Sequence, residues 1–291
     1  MVSPCTVQCC CNHMVGVEMM NFVLKKLKVI WAVALVTYKE WSAYRTHAMV
    51  SIFVGPVYFI VQYFIWSAVY SGKTSLNGLE LSEMLKYFGV TTLIGYLTMD
   101  FADWNLQMMV RTGKFLTFAI RPIHHRFFAL SQKIGHRVLG LLFEFLPCLF
   151  IFTFVFRVNL RPANYGWAVI SVILAFFMNL YMNYLIGMTA FWLVQASGVR
   201  SVYLLLQSVF SGGLVPLVFF PEALQKVLLF LPFQYVSYVP AMVFIGRYTL
   251  GNISLPIPQI VGLQALAVLI TALVNELVYR LSMKRFTGVG A

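Results

Sequence analysis

Residues 167–194 read WAVISVILAFFMNLYMNYLIGMTAFWLV, with no Asp, Glu, Lys, Arg or His. A hydrocarbon core of roughly 30 Å takes about 20 apolar residues in a helix. At about 1.5 Å per residue this run reaches roughly 42 Å, so as a helix it must tilt in a bilayer or project from it. Working outward, three further runs precede it, at residues 47–70, 84–106 and 138–156, and two follow, at 201–220 and 259–281. The whole chain agrees: 60% of its 291 residues are hydrophobic and only 10% are charged. A soluble domain carries about 25% charged residues, because it needs a surface that faces water. The sequence predicts an all-α integral membrane protein with six transmembrane helices and no soluble domain large enough to be an enzyme by itself.

Two other apolar stretches do not fit as spans. Over residues 21–45, Lys25, Lys28 and Lys39 fall on one helical side, with Leu24, Leu27, Trp31, Leu35 and Tyr38 on the other. That pattern suits an amphipathic helix lying in the membrane interface. Residues 221–246 are apolar but punctuated by Pro221, Pro232 and Pro240. Each proline removes a backbone donor and resists helix continuation, leaving pieces of about ten residues. Two such pieces joined by a turn predict a re-entrant hairpin before the last span.

The first twenty residues hold Cys5, Cys9, Cys10 and Cys11, with His13 close by. No second ligand cluster completes a zinc site, so the segment reads as a disordered tail, with metal binding and reversible acylation as its alternatives. Met14, Met19 and Met20 are alternative starts. Lys25-Lys26-Leu27-Lys28 precedes a short apolar run, yet no small-residue cleavage site follows as a signal peptide requires.

The formal charge of +12 does not indicate nucleic acid, because the basic residues cluster just outside the apolar runs, as juxtamembrane anchors do. With the N-terminus cytoplasmic, fifteen of the Lys and Arg residues fall inside. Six fall outside: Lys73, Lys86, Arg157, Arg161, Lys226 and Arg247. Positive-inside asymmetry therefore places both termini in the cytoplasm. No internal repeat supports the inverted-repeat plan of many secondary transporters.

Catalytic motifs are nearly absent. Ser71-Gly72-Lys73-Thr74 ends like a phosphate-binding loop, but Ser67 stands where its first glycine is required. Ser211-Gly212-Gly213 lies in a span as the nucleophile of an intramembrane protease would. Val209 occupies the expected glycine position, and the last span has no histidine to act as base. The histidines show no His-Glu-x-x-His spacing, and no metal site is expected.

Ionisable and polar residues inside spans need a reason, since burying them in lipid is costly. Asp100 and Asp103 share a face near the cytoplasmic end of the second span, Glu144 sits in the third, and Glu276 precedes Arg280 by one helical turn. Two readings stand for these acids: a polar entrance to a translocation path, or ion pairs with basic residues such as Arg45, Arg137 and Arg280. Asn179 and Asn183 share a mid-membrane face and either line a path or bond a neighbouring helix. The loop at about 107–137 is too long and too apolar for a passive connector. A short helix ending before Pro122 would present a basic side and a side of Phe115, Leu116, Phe118 and Ile120, facing either lipid or a cytoplasmic protein.

Over about residues 20–285 the chain resembles the permease subunits of ATP-binding cassette exporters of the type-2 class. The resemblance rests on the order of parts: in-plane helix, six spans, a long loop after the second, and a hairpin before the last. Its sequence marks are Arg111-Thr112-Gly113, Arg121-Pro122, Gly212 with Pro216, Phe220-Pro221, and Leu231-Pro232-Phe233 followed by Tyr238, Pro240 and Gly246. It implies two permeases, identical or different, that bind two cytoplasmic ATPase subunits. ATP and Mg would be bound by those partners, with no cofactor in this chain. Gly113, Lys114, Phe115, Phe118, Arg121 and Pro122 would correspond to the coupling helix. Pro221, Pro232, Phe233, Tyr238 and Pro240 would form the extracellular gate. The expected substrate is amphipathic or hydrophobic (a lipid, drug or peptide) and the expected location is a bacterial cytoplasmic membrane. The competing reading is a self-contained secondary transporter or channel, which predicts ion-coupling residues at mid-membrane.

Overall fold

The computed structural model describes residues 27–40, 45–121, 124–193 and 195–286. The cysteine-rich tail, the first part of the interfacial stretch, and Pro122 lie outside the described residues. The described residues form a helical bundle with two short antiparallel ribbons. Helix α1 covers residues 27–40. Helix α2 (Arg45–Val69) leads through the ribbon β1 (Ser75–Leu76) and β2 (Leu79–Glu80) to α3 (Leu81–Thr98). Two shorter helices follow, α4 (Ala102–Arg111) and α5 (Lys114–Ala119).

The region expected as one span at 84–106 is therefore two helices. Helix α3 ends at Met99, whose backbone turns to ψ 138°, and α4 restarts three residues on. Asp100 makes the restart favourable: its Oδ1 accepts the Ala102 amide at 3.0 Å, and both Asp100 and Asp103 lie at the positive end of the new helix. The next helix does the opposite and runs longer than expected. From α6 (His125–Gly140) the chain continues helically through α7 (Leu146–Phe150) to Val155. A wide turn at Leu141–Phe145 directly precedes Pro147, whose ring nitrogen offers no donor to the ladder. A second wide turn closes the run at Ile151–Val155.

Helix α8 (Tyr165–Met188) begins at Asn164, whose side chain accepts the Trp167 amide at 3.2 Å. It is the centre of the bundle, packed against α3 and α4 and against the C-terminal helices. Helix α9 (Ser197–Phe210) has 14 residues and stops well before Phe220. Gly212 ends it, in a left-handed conformation at φ 83°. A Cβ there would stand 2.6 Å from the Tyr87 hydroxyl, so only glycine fits.

Helices α10 (Glu222–Phe230) and α11 (Tyr238–Ile245) follow, joined by a tight turn at Pro232–Tyr235. Their prolines sit at helix starts, where a missing donor costs nothing. The ribbon β3 (Tyr248–Leu250) and β4 (Ile253–Leu255) then enters α12 (Ile257–Arg285).

Among the described residues, four helical runs are long and apolar enough to cross a membrane: Ile52–Val69, His125–Val155, Tyr165–Phe191 and Ile257–Arg285. Their outward faces are apolar, with Phe53, Val57 and Phe64 on α2 and Leu269, Leu273 and Leu277 on α12 all more than half exposed. Such stripes suit lipid or another apolar helix and not water.

Candidate functional site

The site is built at the bundle end where α4, α5, α6, α8 and α12 meet. Gly113, at φ 70°, turns the chain between α4 and α5 through a conformation few other residues adopt. That turn lays α5 against the bundle so that Phe115 and Phe118 point inward, 1% and 4% exposed. Phe115 packs edge-on against Phe191 at 5.0 Å and Phe286 at 5.1 Å, and Phe118 meets His125 at 4.8 Å between ring centres. The His125 ring in turn bonds the Tyr184 hydroxyl at 3.0 Å. These contacts tie α5 to α6, to the turn after α8 and to the end of α12, and through His125 to α8 itself. On the opposite face, Leu116 is 47% and Ile120 83% exposed, flanked by exposed Lys114 and Arg121. The four apolar residues expected on one face therefore divide: two anchor the helix and two present a surface.

The four acids expected inside spans all meet cations. Asp100 pairs with Lys133 at 3.4 Å, and both side chains are almost fully enclosed. Lys133 also donates to the Phe176 carbonyl at 2.8 Å and lies over that ring. Asp103 pairs with Arg200 at 2.6 Å, Glu144 with Arg137 at 3.7 Å, and Glu276 with both Arg280 at 2.6 Å and Arg126.

Asn179 and Asn183 belong to a polar seam between α8 and α9. Gln207 donates to Asn179 at 2.6 Å, and Asn179 donates to the Thr98 carbonyl at 2.7 Å, just before the helix break. Further along, Arg200 holds Asp103. Between these bonds, Tyr203 Oη, Asn183 Oδ1 and Asp103 Oδ1 are buried with no hydrogen-bond partner. Three unsatisfied polar atoms beside a helix interruption mark a place fit for water or a polar ligand group. Sequence reading missed Arg200, Tyr203 and Gln207. Their spacing of three and four residues puts them on one face of α9, which is the signal that identifies them.

The prolines of the expected gate sit at the other end of the molecule from α5. Pro221 precedes α10, Pro232 opens the turn after it, and Pro240 lies in the first turn of α11. Tyr238 is fully buried, donating to the Thr249 carbonyl at 2.6 Å. Phe233 reaches α9, with its ring 6.4 Å from Tyr203 and 6.2 Å from Phe210. Among the described residues, no three His, Cys, Asp or Glu side chains gather as a metal-binding group.

A family model described as "ABC-2 family transporter protein" matches residues 57–290. Neither the curated proteins nor the solved structures compared with the chain contain a match.

Proposed function

The chain belongs to the ABC-2 family of transporter proteins, and on that premise we propose that it is the permease subunit of an ATP-driven exporter. It is a multi-pass membrane protein whose own residues carry transport and not catalysis. Energy would come from two separate cytoplasmic ATPase subunits, which bind ATP and Mg. The observation that carries this reading is α5: a short helix fastened by two buried phenylalanines and presenting Leu116 and Ile120 outward. An apolar pair on a rigid, basic-flanked helix is the kind of small anchor that fills a partner's cleft.

Six crossings follow if α3 and α9 join the four longer runs. Helix α3 spans about 27 Å at about 1.5 Å per residue, close to the hydrocarbon thickness. Helix α9 is shorter, and α10 and α11 complete its side of the bundle as a re-entrant pair at the extracellular end. Positive-inside asymmetry supports cytoplasmic termini, in the inner membrane of a bacterium. The exposed apolar faces of α2 (Phe53, Phe64) and α9 (Val202, Leu205) favour a second permease copy as neighbour. Substrate would pass between the two copies, along α3 and α9, and an apolar lining of this kind favours a lipid, drug or peptide.

The mechanism is alternating access. Closure of the ATPase pair on nucleotide shifts α5, and the aromatic cluster transmits the shift to α4, α8 and α12 together. The interruption at Met99–Phe101 lets α4 move without carrying α3 rigidly with it. Nucleotide drives the cycle only to the extent that the ATPases bind it differently in the two states.

The test is co-purification in gentle detergent. The wild-type chain should retain a stoichiometric ATPase, and Leu116→Asp with Ile120→Asp should lose it while the permease stays folded and monodisperse. Unchanged recovery would refute the docking role. A wild-type chain that emerges alone and stable would point instead to a secondary transporter or channel.

A further inference from the structure

We infer that the cavity between α4, α9 and the end of α12 is a binding site for the phosphate headgroup of an anionic amphiphile. It has a volume of about 570 Å³ and opens at the same end of the bundle as α5. That size accommodates a headgroup with the first carbons of its chains.

Three guanidinium groups, from Arg111, Arg200 and Arg285, line the cavity, and no acidic side chain does. Only Arg200 is neutralised, by Asp103 at 2.6 Å. Among the described residues, Arg111 and Arg285 meet no carboxylate, leaving two positive charges facing one space. Arginine forks match phosphate oxygens two at a time, so an arginine cluster favours phosphate over a simple point anion.

The start of α9 reinforces that preference. Ala196 caps it with no side-chain bond, so the amides of Ser197, Gly198 and Val199 have no intrahelical acceptor. The space beside Gly198 is open: an added methyl group would meet no atom within 4 Å. Ala196 and Ser197 line the cavity together with the arginines, so the positive end of this 14-residue helix adds a second source of donors for an anion.

The other wall is apolar and faces outward. Trp104 and Trp192 line the cavity and are 50% and 41% exposed, with Leu193 at 44% and Met108 at 38%. Exposed indoles at the ends of membrane-crossing helices belong at headgroup depth. The cavity thus offers charge on one side and an apolar edge on the other, the pattern of a phosphate ester carrying long chains. Basic pockets between crossing helices hold lipid headgroups in this way. Arg200 gives an occupant a route to the hinge, since it lines the cavity while holding Asp103 beside the α3–α4 interruption.

The inference rests on the membrane placement of the chain and not on ATPase coupling, so the two are tested separately. The probe is dioleoylphosphatidylglycerol titrated into the purified complex in detergent and followed by native mass spectrometry, with phosphatidylcholine as the zwitterionic control. Wild type should prefer phosphatidylglycerol. Arg111→Gln with Arg285→Gln should weaken it by about tenfold for each guanidinium lost. Lys284→Gln, one residue from the cavity, should leave binding unchanged, and Arg111→Lys with Arg285→Lys should fall between.

Equal binding by the double glutamine variant overturns the site. So does a variant that binds lipid normally but loses its ATPase, which would make the arginines a protein-docking surface. If lipid binding depends on the arginines while no ATPase co-purifies even with wild type, the site stands and the exporter reading falls. Where binding is confirmed, turnover separates the sources: a resident membrane lipid stays bound through ATP hydrolysis, whereas transported cargo is released.

Discussion

The two ends of the bundle are held together by different chemistry. At the end carrying α5, the contacts are ion pairs and a cluster of aromatic rings: Asp100 with Lys133, Asp103 with Arg200, Glu276 with Arg126 and Arg280, and Phe115 among Phe191, Phe286 and Phe118. At the end carrying α10 and α11, the ion pairs of Arg247 with Glu83 and Lys226 with Glu222 lie at the exposed rim, and in the interior neutral side chains bond backbone carbonyls. Tyr87 and Tyr58 donate to Gly212 and Gly213, each at 2.7 Å, and Tyr238 donates to Thr249. Tyr248 donates to Gln234, which itself holds the Leu229 carbonyl. The interior of the α5 end therefore depends on buried charges finding partners, and that of the other end on neutral donors.

The largest expected effect tests the buried pair. Lys133→Met should destabilise the chain by about 3–5 kcal/mol, because it strands the Asp100 carboxylate without its cation. Adding Asp100→Asn should recover most of the loss; thermal unfolding in detergent reads both. If the single variant matched wild type, the enclosed pair would have no part in holding this end. Next comes Phe115→Ala, which removes a buried ring and should cost about 3 kcal/mol. Leu116→Ala beside it should cost about 0.5 kcal/mol or less while weakening ATPase retention. Equal costs at the two positions would erase the distinction between the anchoring and presenting faces of α5.

At the other end the increments are smaller. Tyr87→Phe removes one hydrogen bond and leaves the Gly212 carbonyl unpaired, for about 1 kcal/mol. Its more informative signature is local: faster amide exchange over residues 211–220, with α5 and α6 unchanged. Arg280→Gln should change stability by about 0.5 kcal/mol or less, since Arg280 is largely exposed and Glu276 keeps Arg126. A larger loss there would mean that the outer ion pair supports the bundle end as strongly as the enclosed one.

The candidate site was legible in part. Gly113 and the proline-marked helices could be picked out by residue type, because a left-handed turn and a missing donor are local requirements. Which of Phe115, Leu116, Phe118 and Ile120 anchors and which presents was not legible. All four are apolar, and the choice depends on where Phe191, Phe286 and His125 stand. The break at Met99–Phe101 was hidden for a related reason. Met99 and Phe101 prolong an apolar run, and only the bond donated by the Ala102 amide to Asp100 shows that the helix restarts.

What the sequence determined by itself was the class of the molecule: apolar runs of bilayer length, basic residues at their ends, and prolines dividing the segment before the last run. A bilayer imposes a criterion along the chain, length of apolar helix, and that can be read in order without knowing any neighbour. The tertiary structure alone decided the pairings. Arg200 meets Asp103 across 97 residues of sequence, Gln264 meets Ser171 across 93, and Arg111 comes to share a cavity with Arg285. Such meetings depend on how helices pack in three dimensions, and no local pattern encodes which buried charge finds which partner.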